Sequence, residues 1–114
     1  MGERAVLALD IGGTKLAAGL VDASGALRSR SQVPTPTTSD PEEVYAALRS
    51  VASMALGGET VEAVGVGCGG PMARGGEQVS PLNIPAWRGF PLRGRLEQDL
   101  GAPVRVDNDA KALA

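Results

Sequence analysis

The run Asp10-Ile11-Gly12-Gly13-Thr14-Lys15 concentrates a carboxylate, two glycines, a hydroxyl and an ammonium within a short stretch. Paired glycines at a turn let backbone N–H groups approach an anion with no side chain in between. Thr14 adds a hydroxyl donor and Lys15 a cation, so the group reads as a cradle for phosphate oxygens. Asp10 follows an apolar run and is suited to holding Mg²⁺ through water, because that ion takes oxygen ligands and keeps part of its hydration shell. The plainer alternative is a Gly-Gly hairpin of the primed type, built on positive φ, with a solvated lysine. The acid and the threonine at these offsets favour phosphate. No GxxxxGK[ST] occurs in the chain, so the device is strand-turn-strand rather than a Walker loop.

A second group, Val106-Asp107-Asn108-Asp109-Ala110, puts an amide and two carboxylates where a strand gives way to a helix. Asn and Asp are favoured helix caps, and capping alone would account for them. The chemical reading is that Asn108 donates to and accepts from one sugar hydroxyl while Asp109 takes the proton of a hydroxyl attacking a γ-phosphate. The positive end of the following helix would keep that carboxylate ionised. A third group, Gly65, Gly67 and Gly70, satisfies GxGxxG after a predicted strand. Its context argues against a dinucleotide site: Pro71 stands where a helix should open, and Pro85-Ala86-Trp87 stands where a ribose-binding acid belongs. A tight loop at the carboxyl end of a strand, with amides facing sugar hydroxyls, fits better; the bland alternative is a turn that permits close packing.

The elements that must carry these groups follow from patterning. Residues 5–9 are a continuous apolar run, as in a strand buried on both faces, and 16–21 read as the strand returning from the glycine turn. After a turn at 22–25, residues 26–33 form a more polar strand nearer an edge. Asp40-Pro41-Glu42-Glu43 predicts a helix start, with Asp40 as N-cap, and Val44, Leu48, Val51, Ala52 and Ala55 recur at helical spacing until Gly57-Gly58 ends it. Residues 61–66 are a strand that should run parallel to the first. A small hairpin around Gly75-Gly76, a helix over 92–100 closed by Gly101, and a strand over 104–106 complete the order βββ-α-β-α-β, with another helix beginning after Asp109. That is an α/β fold: a ribonuclease-H-like (actin-like ATPase) domain with a mixed five-stranded sheet.

Composition narrows the functional classes. The chain has 114 residues and is one domain, with a core that must be aliphatic because it contains one Trp, one Tyr and one Phe. It has no histidine and one cysteine, Cys68, which excludes an internal disulfide and Ser-His-Asp or Cys-His catalysis. Net charge is −2 with the signs interspersed, so a nucleic-acid surface is not expected. The apolar start is too short for a signal peptide or a membrane span, which leaves the expectation of a soluble cytoplasmic protein without membrane partners.

Together these residues resemble the ROK family of bacterial sugar kinases and sugar-responsive repressors. The segments that carry the resemblance are Asp10 to Lys15, Gly65 to Pro71, Asn83-Ile84-Pro85-Ala86-Trp87 and Asn108-Asp109-Ala110, in that order. The resemblance implies ATP and Mg²⁺ at Asp10, Gly12, Gly13, Thr14 and Lys15. It implies sugar contacts from Gly70, Asn83, Asn108 and Asp109, with Asp109 as general base toward a primary hydroxyl, usually at carbon 6 of a hexose. Cys68 lies inside the sugar loop and reads as a small buried residue. Lys111 stands where the family more often has Asn.

By the same resemblance, residues 1–114 form the N-terminal lobe of an actin-fold kinase. The expected C-terminal lobe carries further sugar-binding acids, a histidine and a cysteine-rich motif that is the only place for structural Zn²⁺. The full-length enzyme is expected to be a homo-oligomer, a dimer. The expected reaction is ATP-dependent phosphorylation of a hexose, with glucose first, and the alternatives are an N-acetylmannosamine or fructose kinase and a non-catalytic sugar-responsive regulator. The regulators carry a helix-turn-helix ahead of the phosphate motif, and the motif here begins at Asp10. A different actin-fold ATPase would leave Asn108-Asp109 without a purpose.

Overall fold

The computed structural model describes residues 5–68, 72–73, 78–79, 84, 86–87 and 89–107. β1 (Ala5–Ile11), β2 (Lys15–Asp22) and β3 (Leu27–Pro34) form an antiparallel meander. The β2–β3 turn is held by Asp22, whose carboxylate accepts from the Ser24 amide at 3.0 Å and the Ala26 amide at 3.0 Å. Helix α1 (Pro41–Leu56) crosses over, and β4 (Ala63–Cys68) returns parallel to β1. The two-residue strands β5 (Met72–Ala73) and β6 (Gln78–Val79) pair antiparallel, as the expected small hairpin requires; its Gly75-Gly76 turn lies outside the described residues. Helix α2 (Leu92–Leu100) leads into β7 (Val104–Asp107), parallel to β4. The five-stranded sheet has the order β3-β2-β1-β4-β7.

The helix boundaries have local causes. The Asp40 carboxylate accepts from the Glu42 amide at 2.9 Å, Pro41 occupies the first turn, and Gly57 closes α1 in the left-handed region at φ 58°. Both helices cover one face of the sheet. Leu7, Leu9 and Ile11 of β1, Val64 and Val66 of β4, and Val104 and Val106 of β7 point into that layer, against Val44, Leu48 and Val51 of α1 and Leu92 and Leu96 of α2. Tyr45 binds the helices together: its hydroxyl donates to Asp99 at 2.6 Å, while Arg95 sits 4.3 Å from its ring centroid and pairs with Glu42 at 2.8 Å. Trp87 stacks on Phe90 at 4.5 Å and donates from Nε1 to the Pro41 carbonyl at 3.1 Å. Three aromatics thus form one cluster at the start of α1.

The opposite face is different. Strand parity puts Ala8 and Asp10 of β1, Lys15, Ala17 and Gly19 of β2, Gly65 and Gly67 of β4, and Arg105 and Asp107 of β7 on it. No helix of the described residues packs there, and most of these positions carry a hydrogen or a methyl in place of a branched side chain.

Candidate functional site

Residues 12–14 close the hairpin between β1 and β2. The Gly12 amide donates to the Lys15 carbonyl at 3.0 Å, and Gly12 would bring a Cβ to 3.1 Å from that same oxygen. The expectation of a primed, positive-φ turn is not met. Among the described residues the left-handed glycines lie at 25, 57, 58, 89 and 101, and the hairpin glycines are not among them. Gly12 is needed for close backbone approach across the turn, not for its φ. Gly13, Thr14 and Lys15 are exposed. Among the described residues, neither the Gly13 nor the Thr14 amide meets an acceptor, so both are available to an anion.

Asp10 stands two residues before the hairpin on the uncovered face, half-buried, opposite Ala17 on one side and Gly67 on the other. Among the described residues no donor reaches its carboxylate. Its charge is felt by Cys68 at the end of β4. Burial pushes the Cys68 thiol up to about 11, and the Asp10 carboxylate adds to the shift. As expected from the sequence, Cys68 is buried, at 1% exposure. A half-buried carboxylate with no partner among the described residues, near amides that meet no acceptor there, fits a hydrated Mg²⁺.

β1, β4 and β7 run parallel and deliver the chain to one edge of the sheet. Register aligns Asp10 with Gly67 and Gly67 with Asp107. Asp10 and Asp107 are therefore two strand spacings apart, about 10 Å, with no side chain between them. Asn108 and Asp109 follow directly but lie outside the described residues, as do Gly70 and Asn83. The glycines that imitate a dinucleotide motif are partly explained: Gly65 is inside β4 as expected, and Gly67 is inside it too rather than in the loop.

Two features were missed by sequence reasoning. Thr35 grips the hairpin: its amide donates to the Thr14 carbonyl at 3.0 Å and its hydroxyl to the Gly12 carbonyl at 2.7 Å. A threonine between two prolines carries no local sign of this contact, and only register brings it to the turn. The second is a cavity of about 550 Å³ beside the hairpin tip, lined by Gly13, Thr35, Thr37, Thr38, Ser39 and Ile84. It lies between the hairpin tip and Ile84. Among the described residues no cluster of three His, Cys, Asp or Glu side chains is arranged for a metal, and no helix is long and apolar enough to cross a membrane.

The ROK family model matches residues 6–114. A glucokinase of Streptomyces coelicolor is 43% identical over 108 residues, covering 95% of this chain and 33% of that protein. An N-acetylmannosamine kinase of Shigella flexneri is 38% identical over 112 residues, covering 96% of this chain and 37% of that protein. The crystal structure of a ROK family glucokinase from Streptomyces griseus, in complex with glucose and AMPPNP, superposes with a TM-score of 0.79 at 39% identity, covering 91% of this chain and 33% of that one. The chain thus spans about a third of the length of these relatives.

Proposed function

The chain belongs to the ROK family, and from that premise we propose that it is the N-terminal lobe of an ATP-dependent sugar kinase. The observation that carries the phosphate half of this reading is the hairpin tip. Two amides without acceptors among the described residues stand at this tip with a threonine and an exposed lysine, two residues from a half-buried carboxylate that no described donor reaches. Lys15 and the Gly13 and Thr14 amides bind the terminal phosphates of ATP. Asp10 would hold Mg²⁺ through water, and that ion would neutralise charge on the phosphates.

Gly70, Asn83 and Asn108 engage the sugar hydroxyls, and Asp109 accepts the proton of the attacking primary hydroxyl, at carbon 6 of a hexose. Support comes from the strand order, which sends the chain out of β7 at the same sheet edge as the hairpin. Phosphoryl transfer depends mainly on positioning and charge, so one aligned base and a neutralised phosphate suffice. Glucose is the first acceptor to test, because glucokinases are among the similar proteins; N-acetylmannosamine is the second. The reading carries with it a second lobe, a homo-oligomeric enzyme and a cytoplasmic setting.

The test is a coupled ADP-release screen of the full-length protein against glucose, mannose, fructose, N-acetylmannosamine and allose. Turnover with one or more of them is expected, abolished by Asp109→Asn while sugar binding largely survives. Near-normal turnover in that variant would remove Asp109 as base. Sugar binding without ADP formation in the wild-type protein would instead mean a regulator.

A further inference from the structure

We propose that Thr35 is a positioning residue for the nucleotide, holding the Gly12–Thr14 turn in the shape that presents its amides. This rests on the phosphate reading of the hairpin given above. The register explains how Thr35 gets there. Pro34, the last residue of β3, is opposite Lys15, so the next residue falls beside the turn. Pro36 biases the residue before it toward extended backbone, and Pro34 itself has a fixed φ. Thr35 is therefore constrained on both sides without a helix or strand to hold it.

Its two hydrogen bonds go to different carbonyls of the same turn, Thr14 at 3.0 Å through the amide and Gly12 at 2.7 Å through the hydroxyl. The Gly12 carbonyl shares its peptide plane with the Gly13 amide, and the Thr14 carbonyl belongs to the plane after the Thr14 amide, so the two bonds fix one outward amide directly and bracket the other. The carbonyls point at Thr35 and away from the anion position, where they would repel phosphate oxygens. Without the hydroxyl, the Gly12 carbonyl loses that acceptor role and the turn is held by the Gly12-to-Lys15 bond and one amide contact. Thr35 touches no reacting atom in this scheme and acts through the turn alone.

The test uses the full-length protein and the near-isosteric Thr35→Val, which keeps the backbone amide and removes only the hydroxyl. AMPPNP affinity is measured by calorimetry, with KM for ATP, KM for sugar and kcat from ADP release, and with melting temperature alongside. Affinity for AMPPNP should fall about fivefold to tenfold, the loss expected for one hydrogen bond. KM for ATP should rise in step, kcat and the sugar KM should stay within about twofold, and Thr35→Ser should restore the wild-type value. Should Thr35→Val not fold, Thr35→Ala carries the same comparison without added bulk. Unchanged nucleotide affinity, a joint fall in all parameters, or no rescue by serine would overturn the role of Thr35. Gly13→Val separates the two levels. If it leaves nucleotide affinity intact, the hairpin is not the phosphate site and the role of Thr35 falls with it. If it weakens binding while Thr35→Val does not, only the role of Thr35 falls.

Discussion

Replacing Gly12 with alanine perturbs the hairpin by one carbon. The new Cβ would lie 3.1 Å from the Lys15 carbonyl oxygen, inside the optimal contact range of about 3.5 Å and beyond. That oxygen has little room to retreat, because it accepts the Gly12 amide at 3.0 Å while the Gly12 carbonyl is itself held by Thr35 at 2.7 Å. Backbone conformation adds no penalty, since Gly12 is not left-handed. Relief requires the turn to open by a few tenths of an ångström, at the expense of one hydrogen bond worth about 0.5–1.5 kcal/mol. Overpacking in a tight interior costs about 1–3 kcal/mol, and an exposed tip belongs at the low end of that range. A total of about 1–2 kcal/mol corresponds to roughly fivefold to thirtyfold weaker AMPPNP binding, measured by calorimetry on the full-length protein. The control is Gly57→Ala, where φ is 58° and a Cβ would meet nothing within 4 Å. It should lower the melting temperature and leave nucleotide affinity alone. If Gly12→Ala binds AMPPNP within twofold of wild type, turn closure does not govern amide presentation.

Trp87→Phe keeps the stack on Phe90 and removes the Nε1 bond to Pro41, so urea unfolding followed by circular dichroism should show a loss of about 1–2 kcal/mol; an unchanged midpoint would mean that bond contributes nothing. Cys68 should titrate late. Its folded value near 11, against 9.0 for an ordinary thiol, means that its contribution to stability is complete below about pH 9 and is lost as pH rises toward 11. At pH 8 a thiol reagent should modify the native protein at least about a hundredfold more slowly than the urea-unfolded chain, and Asp10→Asn should bring the native titration down; equal native and unfolded rates would contradict the burial.

The main elements were legible because each has a local cause. Asp40, Pro41 and Gly57 delimit α1 by capping chemistry, and the aliphatic run before Asp10 could pack only as a central strand. The edge character of β3 was visible in its polar alternation and appears as a row of exposed and half-exposed residues. Long-range facts were not legible. Nothing adjacent to Thr35 says that Pro34 will be opposite Lys15, and nothing adjacent to Arg95 says that it will pair with Glu42 across two helices. β4 runs on to Cys68 because Gly67 is accepted in a parallel strand with paired neighbours on both sides, whereas the sequence pattern ends the strand at residue 66. At the candidate site the hairpin residues were legible from their types, and the grip of Thr35 on them was not. The sugar half, at Gly70, Asn83, Asn108 and Asp109, falls outside the described residues.

The segment from Thr35 to Pro41 is a cord knotted at both ends. One knot is the pair of bonds from Thr35 to the hairpin, and the other is the Trp87 indole on the Pro41 carbonyl, reinforced by Arg95 on Glu42. Six residue steps reach at most about 20 Å at full stretch. The hairpin tip and the Trp87 indole are therefore leashed to each other, and neither can drift away without untying a knot.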